Sequence, residues 1–109
     1  MKKEIEIKPL SVNRAWQGRR YKTPAYRVFE REMLILLGRA PEQLGGAILL
    51  EITVYLKHPL RSDLGNYEKL LTDCLVKAGW LKDDRYITEL VMHKVKRDKE
   101  GFLIEIKEK

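Results

Sequence analysis

The chain of 109 residues has the length of one domain and is too short for two independent hydrophobic cores. Its 22 Lys and Arg against 16 Asp and Glu leave a net charge of +6, which favours an anionic partner such as nucleic acid. Cys74 is the one cysteine, which excludes an intrachain disulfide, and no apolar run reaches membrane-spanning length. The N-terminus lacks the apolar core of a signal peptide, so we expect a soluble protein in the reducing cytoplasm, without membrane contact.

The first half of the chain predicts a strand, a loop and a helix. Apolar and charged residues alternate over 3–8, which indicates a strand. Residues 9–24 contain two prolines and a glycine and are predicted to form a loop. Apolar residues three and four positions apart predict a helix over 25–38, which Gly38 ends.

The second half predicts the strongest strand of the chain and then a helix followed by a hairpin. Strict alternation over 48–57 indicates a half-buried strand, and a helix over 63–78 is ended by Gly79. Residues 87–97 and 102–107 are predicted strands separated by the turn RDKEG.

The resulting order, β-α-β-α-β-β, predicts an α/β (α+β) fold in a single domain over residues 1–109. We expect one small mixed four-stranded sheet with two main helices packed on it. A parallel crossover between the second and third strands would be right-handed.

The second helix separates into a core face and a polar column when its residues are placed at 100° intervals. Asn66, Lys69 and Asp73 fall on one stripe, while Glu68 points to the far side. Cys74 lies within the apolar arc, so we interpret it as a core residue rather than a nucleophile. The residues of the core arc are Tyr67, Leu70, Leu71, Cys74, Leu75 and Ala78.

Three further acids flank this helix, and each has a structural alternative. Asp63 at the helix start is also explained as an N-cap, and Asp83 and Asp84 as turn residues before a strand. The three acids meet only if the loop over 79–86 doubles back. Clustered carboxylates repel one another, and a divalent cation such as Mg²⁺ or Mn²⁺ is the usual compensation.

The stretch RSDLGNYEKLLTDCLVKAGWLKDD (61–84) resembles the RusA family of Holliday junction resolvases. The family pattern is roughly D-x-D-N-x-x-K, an aspartate four residues on, then A-G and a D-D pair before a strand. The N-terminal SVNRAW and GRRYKT also resemble the family's S-x-N segment and the basic loop that follows it. The matching residues are Asp63, Asn66, Lys69, Asp73, Ala78, Gly79, Asp83 and Asp84.

The resemblance implies a homodimeric, Mg²⁺-dependent endonuclease, with Mn²⁺ as a possible substitute, that nicks paired strands of four-way DNA junctions. It implies that Asp63, Asp83 and Asp84 bind the metal and that Asp63, Lys69 and Asp84 are catalytic. Asp73 would be a supporting acid in the helix, and we group Asn66, from the same polar column, with it. Two sites related by a two-fold axis suit a substrate that needs two nicks. Apolar residues 33–37 of the first helix exceed one face and are a candidate dimer surface.

Gly65 departs from the family pattern, which has a second aspartate there. Three interpretations stay open: a subfamily with a different metal shell, a weakened enzyme, or a dimeric junction-binding module that no longer cuts. We favour the first, because Asp63, Lys69, Asp83 and Asp84 are all present.

A basic loop is the candidate DNA-binding segment, because arginine and lysine neutralise phosphates and interleaved aromatic residues stack on bases. Arg61, next to the acids, is a further candidate for phosphate binding. A solvated surface loop is the alternative for the loop residues, and a generic basic interaction domain, with RNA among its partners, is the alternative for the whole chain. The loop candidates are Asn13, Arg14, Arg19, Arg20 and Lys22.

Overall fold

The structure, a computed structural model, describes residues 1–11, 16–17, 21–40 and 42–109. Its helices are α1 (Pro24–Leu37) and α2 (Gly65–Lys77), with short 3₁₀ turns at Pro59–Arg61 and Asp84–Tyr86. Its strands are β1 (Lys2–Glu6), β2 (Trp16–Gln17), β3 (Tyr21–Lys22), β4 (Ile48–Leu56), β5 (Ile87–Lys96) and β6 (Gly101–Glu108).

The main sheet has the strand order β1-β6-β4-β5. Strands β4 and β5 are parallel, whereas β6 is antiparallel to both β1 and β4. The predicted mixed four-stranded sheet with two main helices is therefore confirmed. The prediction of a continuous loop over 9–24 was wrong where β2 pairs with β3, because strands of two residues are too short to show an alternating pattern.

Strand β4 supplies the centre of the core. Successive side chains of a strand point to opposite faces, so every second residue from Ile48 to Leu56 reaches the face that carries the helices. They are at most 6% exposed, whereas the intervening residues, such as Glu51 and Thr53, are half-buried on the other face. The buried residues are Ile48, Leu50, Ile52, Val54 and Leu56.

Helix α1 begins where the sequence predicts, to within one residue. The Thr23 hydroxyl accepts a hydrogen bond from the backbone N–H of Tyr26, and Pro24 takes the first turn, where no hydrogen bond is lost. Its buried residues Tyr26, Phe29, Met33 and Leu37 follow the spacing of three and four positions. Ile35 and Leu36, by contrast, are exposed, as the excess of apolar residues on this helix predicts.

Helix α2 begins two residues later than predicted. Its N-cap is Leu64, without a side-chain capping bond, so the interpretation of Asp63 as an N-cap was wrong. The predicted core face is buried except for Ala78, which is half-buried, and Thr72 is buried as well. Thr72 fits there because its hydroxyl donates to the Glu68 carboxylate at 2.9 Å, which satisfies the buried polar group.

Cys74 is fully buried in this core, as its place in the apolar arc predicts. Burial raises the pKa of its thiol to about 12, so the reactive thiolate is scarce at neutral pH.

Neither α1 nor α2, in the part of the chain that the structure describes, has the length and hydropathy to cross a membrane.

Candidate active site

The chain that follows α2 folds back along the helix. Gly79 has φ of 84°, a backbone conformation that glycine adopts without strain, and it turns the chain at the end of α2. Leu81 is buried and pairs with Leu44, so the returning segment is anchored to the body of the protein. The 3₁₀ turn Asp84–Tyr86 then packs against α2, as the doubling back of the predicted loop requires.

This return places Asp84 beside the polar column of α2. The Lys69 Nζ lies 3.8 Å from Asp84 Oδ2 and 3.3 Å from Asp73 Oδ1. The hydrogen bond and charge of Asp73, with a smaller contribution from Asp84, raise the pKa of Lys69 above its usual value. Lys69 is therefore protonated and positively charged at neutral pH.

The Asp83 and Asp84 carboxyl groups are adjacent. Asp83 Oδ1 accepts a hydrogen bond from the backbone N–H of Arg85 at 2.9 Å. This bond, followed by the contact with the Asp84 side chain, lowers the pKa of Asp83, so its carboxylate is ionised at neutral pH. The pair thus combines two oxygen-donor groups with a nearby cation.

Asp63 is held by its backbone and not by its carboxylate. The preceding residue, Ser62, is fixed on two sides: Lys94 Nζ donates to its carbonyl at 2.8 Å, and its hydroxyl lies 2.5 Å from the Tyr67 hydroxyl. The Asp63 carbonyl accepts the backbone N–H of Asn66 at 3.1 Å. The Asp63 side chain is exposed, and no described residue pairs with its carboxylate.

The donor set fits a divalent cation only in part. Mg²⁺ is commonly held by one or two carboxylates together with water and substrate phosphate, which the Asp83–Asp84 pair can provide. Within the described ranges, however, no three acidic, histidine or cysteine side chains are grouped closely enough to hold a metal. The three carboxylates predicted to bind the metal, those of Asp63, Asp83 and Asp84, are thus not grouped in this structure. Metal binding by these residues stays a prediction.

Gly65, the first residue of α2, faces open space. A Cβ atom added at this position meets no atom within 4 Å, and its φ is not in the left-handed region that favours glycine. Neither crowding nor backbone conformation therefore requires glycine here. A side chain can therefore start from this position without its Cβ atom meeting a neighbour.

The predicted DNA-binding residues fall into three groups. Asn13, Arg14, Arg19 and Arg20 lie outside the described residues. Lys22 is paired with Glu30 at 2.9 Å, so its charge is partly neutralised within the protein. Arg61 is exposed and lines, together with Tyr67, an open groove of about 760 Å³.

Two residues with contacts near the site were not among the sequence candidates. Lys94 donates to the Ser62 carbonyl, next to Asp63. It lies on the face of β5 that also carries Leu90 and Met92, and a lysine on such an apolar face is the sequence feature that could have pointed to it. Arg85 directly follows the acid pair, and its charge in an acidic turn was a weaker signal.

Comparison with known families gives one result that covers almost the whole chain. The family model described as "Endodeoxyribonuclease RusA" matches residues 6–107 of 109. A search of curated proteins finds no match.

Proposed function

The chain belongs to the RusA endodeoxyribonuclease family, and from this premise we propose that it resolves four-way (Holliday) DNA junctions by paired nicks that depend on a divalent metal. The observation that carries the proposal is the approach of Asp84 to Lys69 at 3.8 Å, across the fold of the returning loop. Residues 1–109 act as one nuclease domain. We place its activity in the cytoplasm, a reducing compartment that suits a chain with a single cysteine.

Lys69 supplies positive charge to the phosphodiester under attack. Such preorganised charge is the largest contribution in many active sites, and Lys69 is preorganised by its ion pair with Asp73. Asp73 therefore positions Lys69, and the backbone N–H of Asn66 supports the turn that carries Asp63.

Asp83 and Asp84, together with Asp63, are the residues that would hold Mg²⁺ or Mn²⁺. When bound, such an ion supplies water activation and stabilises the leaving oxygen. The exposed, unpaired carboxylate of Asp63 is available to move toward the acid pair when the ion and DNA are present. Asp63, Lys69 and Asp84 are the catalytic residues of this proposal.

A homodimer would place two such sites on one junction. Ile35 is 73% exposed and Leu36 is 41% exposed on α1, which makes this helix face a candidate for the contact between copies. Sedimentation that shows only monomer at micromolar concentration would contradict the dimer.

The test is cleavage of a synthetic four-way junction in Mg²⁺. We expect Asp63→Asn and Lys69→Ala each to lower the cleavage rate by about 10²–10³, the usual effect of removing one charge-stabilising group. The matched controls are Asp98→Asn and Lys99→Ala, on the exposed turn between β5 and β6. A wild-type protein that does not cleave in Mg²⁺ or Mn²⁺ at concentrations that saturate the junction would disprove the proposal.

A second candidate function is a dimeric module that binds junctions without cutting them. Gly65 favours it, because glycine offers no metal ligand where the family pattern has an aspartate. Equal affinity for duplex, RNA and junction would instead indicate a generic basic domain. The substitution Gly65→Asp distinguishes a weakened enzyme from one whose site is intact, because only the weakened enzyme should gain activity.

A further inference from the structure

Arg85 and Tyr86 form a guanidinium–aromatic pair directly after the Asp83–Asp84 pair. Arg85 Nη2 donates to the Tyr86 hydroxyl at 3.1 Å, and the guanidinium carbon lies 5.1 Å from the centroid of the Tyr86 ring. We propose that Arg85, held in place by Tyr86, binds a backbone phosphate of the DNA beside the acid pair. This inference rests on the proposed function, because it assigns a contact within the same site.

A phosphate that approaches the acid pair needs positive charge that is not already paired with a carboxylate. A DNA strand that approaches Asp73, Asp83 and Asp84 meets three negative charges. Lys69 is within ion-pair distance of Asp73 and Asp84 and is therefore partly neutralised. Because like charges repel, a phosphate can stay close to these acids in the absence of a divalent metal only if another cation offsets them.

Two exposed cations flank the acid pair, Lys82 and Arg85, and Arg85 is the one that Tyr86 holds through a hydrogen bond and its ring. Among the described residues, no carboxylate lies within 4.0 Å of its guanidinium; Asp83 is bound by the Arg85 backbone N–H and not by its side chain. The side chain is exposed, and one of its nitrogens is used by Tyr86, which leaves further N–H donors for an anion. A guanidinium fork matches two phosphate oxygens in geometry as well as in charge.

Tyr86 makes this arginine more ordered than a free surface side chain. The ring is partly buried and packs against the hydrophobic core, so it is a fixed support for the guanidinium. An arginine that is already held loses less side-chain freedom when it binds a phosphate. The contact with Tyr86 thus favours binding without neutralising the charge.

Arg97 provides an internal comparison. Its guanidinium carbon lies 3.6 Å from the centroid of the Tyr55 ring, but its Nη1 is also 2.6 Å from Glu4 Oε1. Both arginines are therefore supported by tyrosine, and they differ in whether a carboxylate pairs with the charge. This difference makes Arg97→Gln a matched control for Arg85→Gln.

The experiment measures binding of a fluorescent four-way junction by anisotropy, without divalent metal, at several salt concentrations. Arg85→Gln is expected to raise the Kd about fivefold, as for the loss of one exposed charge contact. The slope of log K against log salt should fall by about one, because one phosphate contact is lost. Tyr86→Phe should weaken binding less and leave the slope unchanged, and Arg97→Gln should change neither quantity.

The outcomes separate this inference from the proposed function. An Arg85→Gln protein with the wild-type Kd and salt slope overturns the inference, as does an equal loss of slope in Arg97→Gln. Wild-type protein that binds no DNA overturns the proposed function as well. Because binding is measured without cleavage, an inactive wild type that binds DNA leaves the test intact. Arg85→Ala also removes the charge and should lower the slope by the same amount, which provides a second variant if Arg85→Gln unfolds, while Arg85→Lys keeps the charge and should retain the slope.

Discussion

The buried face and the polar column of α2 lie on the same 13 residues but are held in different ways. Leu70 and Leu71 are fully buried between the helix and the sheet, and dispersion and the hydrophobic effect fix their positions. Lys69 and Asp73, in contrast, are partly exposed, with 56% and 34% of their side chains accessible. Their positions depend on one another and on the return of Asp84.

The difference shows how the molecule separates stability from chemistry. The apolar face orients the helix, and the neighbouring stripe is thereby aimed at the loop that brings Asp84. Charged groups at such exposure contribute little to folding, so they are free to serve a substrate. Substitution of Leu70 should therefore lower the stability of the fold, whereas substitution of the neighbouring Lys69 should lower cleavage and leave the stability almost unchanged.

The largest expected effect is on the buried face. Leu70→Ala removes buried methyl groups and leaves a cavity, and we expect the free energy of unfolding to fall by about 2–5 kcal/mol. Lys69→Ala should change it by less than about 1 kcal/mol, because its ion pairs are exposed, while it lowers junction cleavage. Urea denaturation of the two variants checks both values. Similar losses of stability in the two variants would refute the separation of roles.

An intermediate effect is expected at Glu30, which joins α1 to α2 by ionic contacts. Its carboxylate accepts from Lys77 at 2.8 Å and from Lys22 at 2.9 Å, and its side chain is 13% exposed. Glu30→Gln should lower the free energy of unfolding at pH 7 by about 1–2 kcal/mol, the low end for charged hydrogen bonds, because both lysines are partly exposed. Glu32→Gln, on the exposed side of α1, is the control.

The contribution of Glu30 should also depend on pH. Burial alone would raise the pKa of Glu30, but the hydrogen bonds and charges of Lys77 and Lys22 outweigh it and lower the pKa below 4.5. Since the folded state binds this proton less readily than the unfolded state, the stabilisation is present above pH 4.5. It is lost as the pH falls through the folded pKa. The difference between wild type and Glu30→Gln should shrink in this acidic range; a difference that widens there would contradict the assignment.

The smallest expected effect is at Gly65, where the polar column begins. Gly65→Ala should raise stability by at most about 1 kcal/mol through helix propensity, and Gly65→Asp by about 0.3–1 kcal/mol through the helix dipole. Because a Cβ atom meets open space there, neither change should strain the fold. Thermal unfolding measures this gain.

Cleavage by the same two variants decides between the interpretations of Gly65. We expect both to cleave at rates close to the wild type, since Asp63, Lys69, Asp83 and Asp84 remain in place. Gly65→Ala controls for the change in helix stability. A large gain in Gly65→Asp alone would show that the natural site is weakened by the missing carboxylate.

Most of the fold was predictable because its signals are local. The alternation in β4 and the spacing of apolar residues in α1 and α2 predict the elements to within two residues. The start of α2 was less predictable, because Asp63 has the residue type of an N-cap but its carboxylate makes no capping bond. The β2–β3 pairing was missed, since strands of two residues have no pattern.

The candidate site was predictable in residue type but not in arrangement. The 100° spacing places Asn66, Lys69 and Asp73 on one stripe, and Lys69 and Asp73 indeed form an ion pair. The pairing of Lys22 with Glu30, eight positions away, had no such periodic signal. The support of Ser62 by Lys94 connects residues 32 positions apart, a distance at which no periodicity operates.

By itself, the amino-acid sequence determined the secondary elements, the buried face of α2 and the residues that resemble the RusA pattern, because each of these depends on neighbours within a few turns. Only the tertiary structure decided that the chain after Gly79 returns to put Asp84 3.8 Å from Lys69. It also decided that the Asp63 carboxylate has no partner among the described residues and that Gly65 faces open space. These properties depend on how the loop after α2 packs between distant segments, and packing of that kind leaves no periodic signal in the sequence.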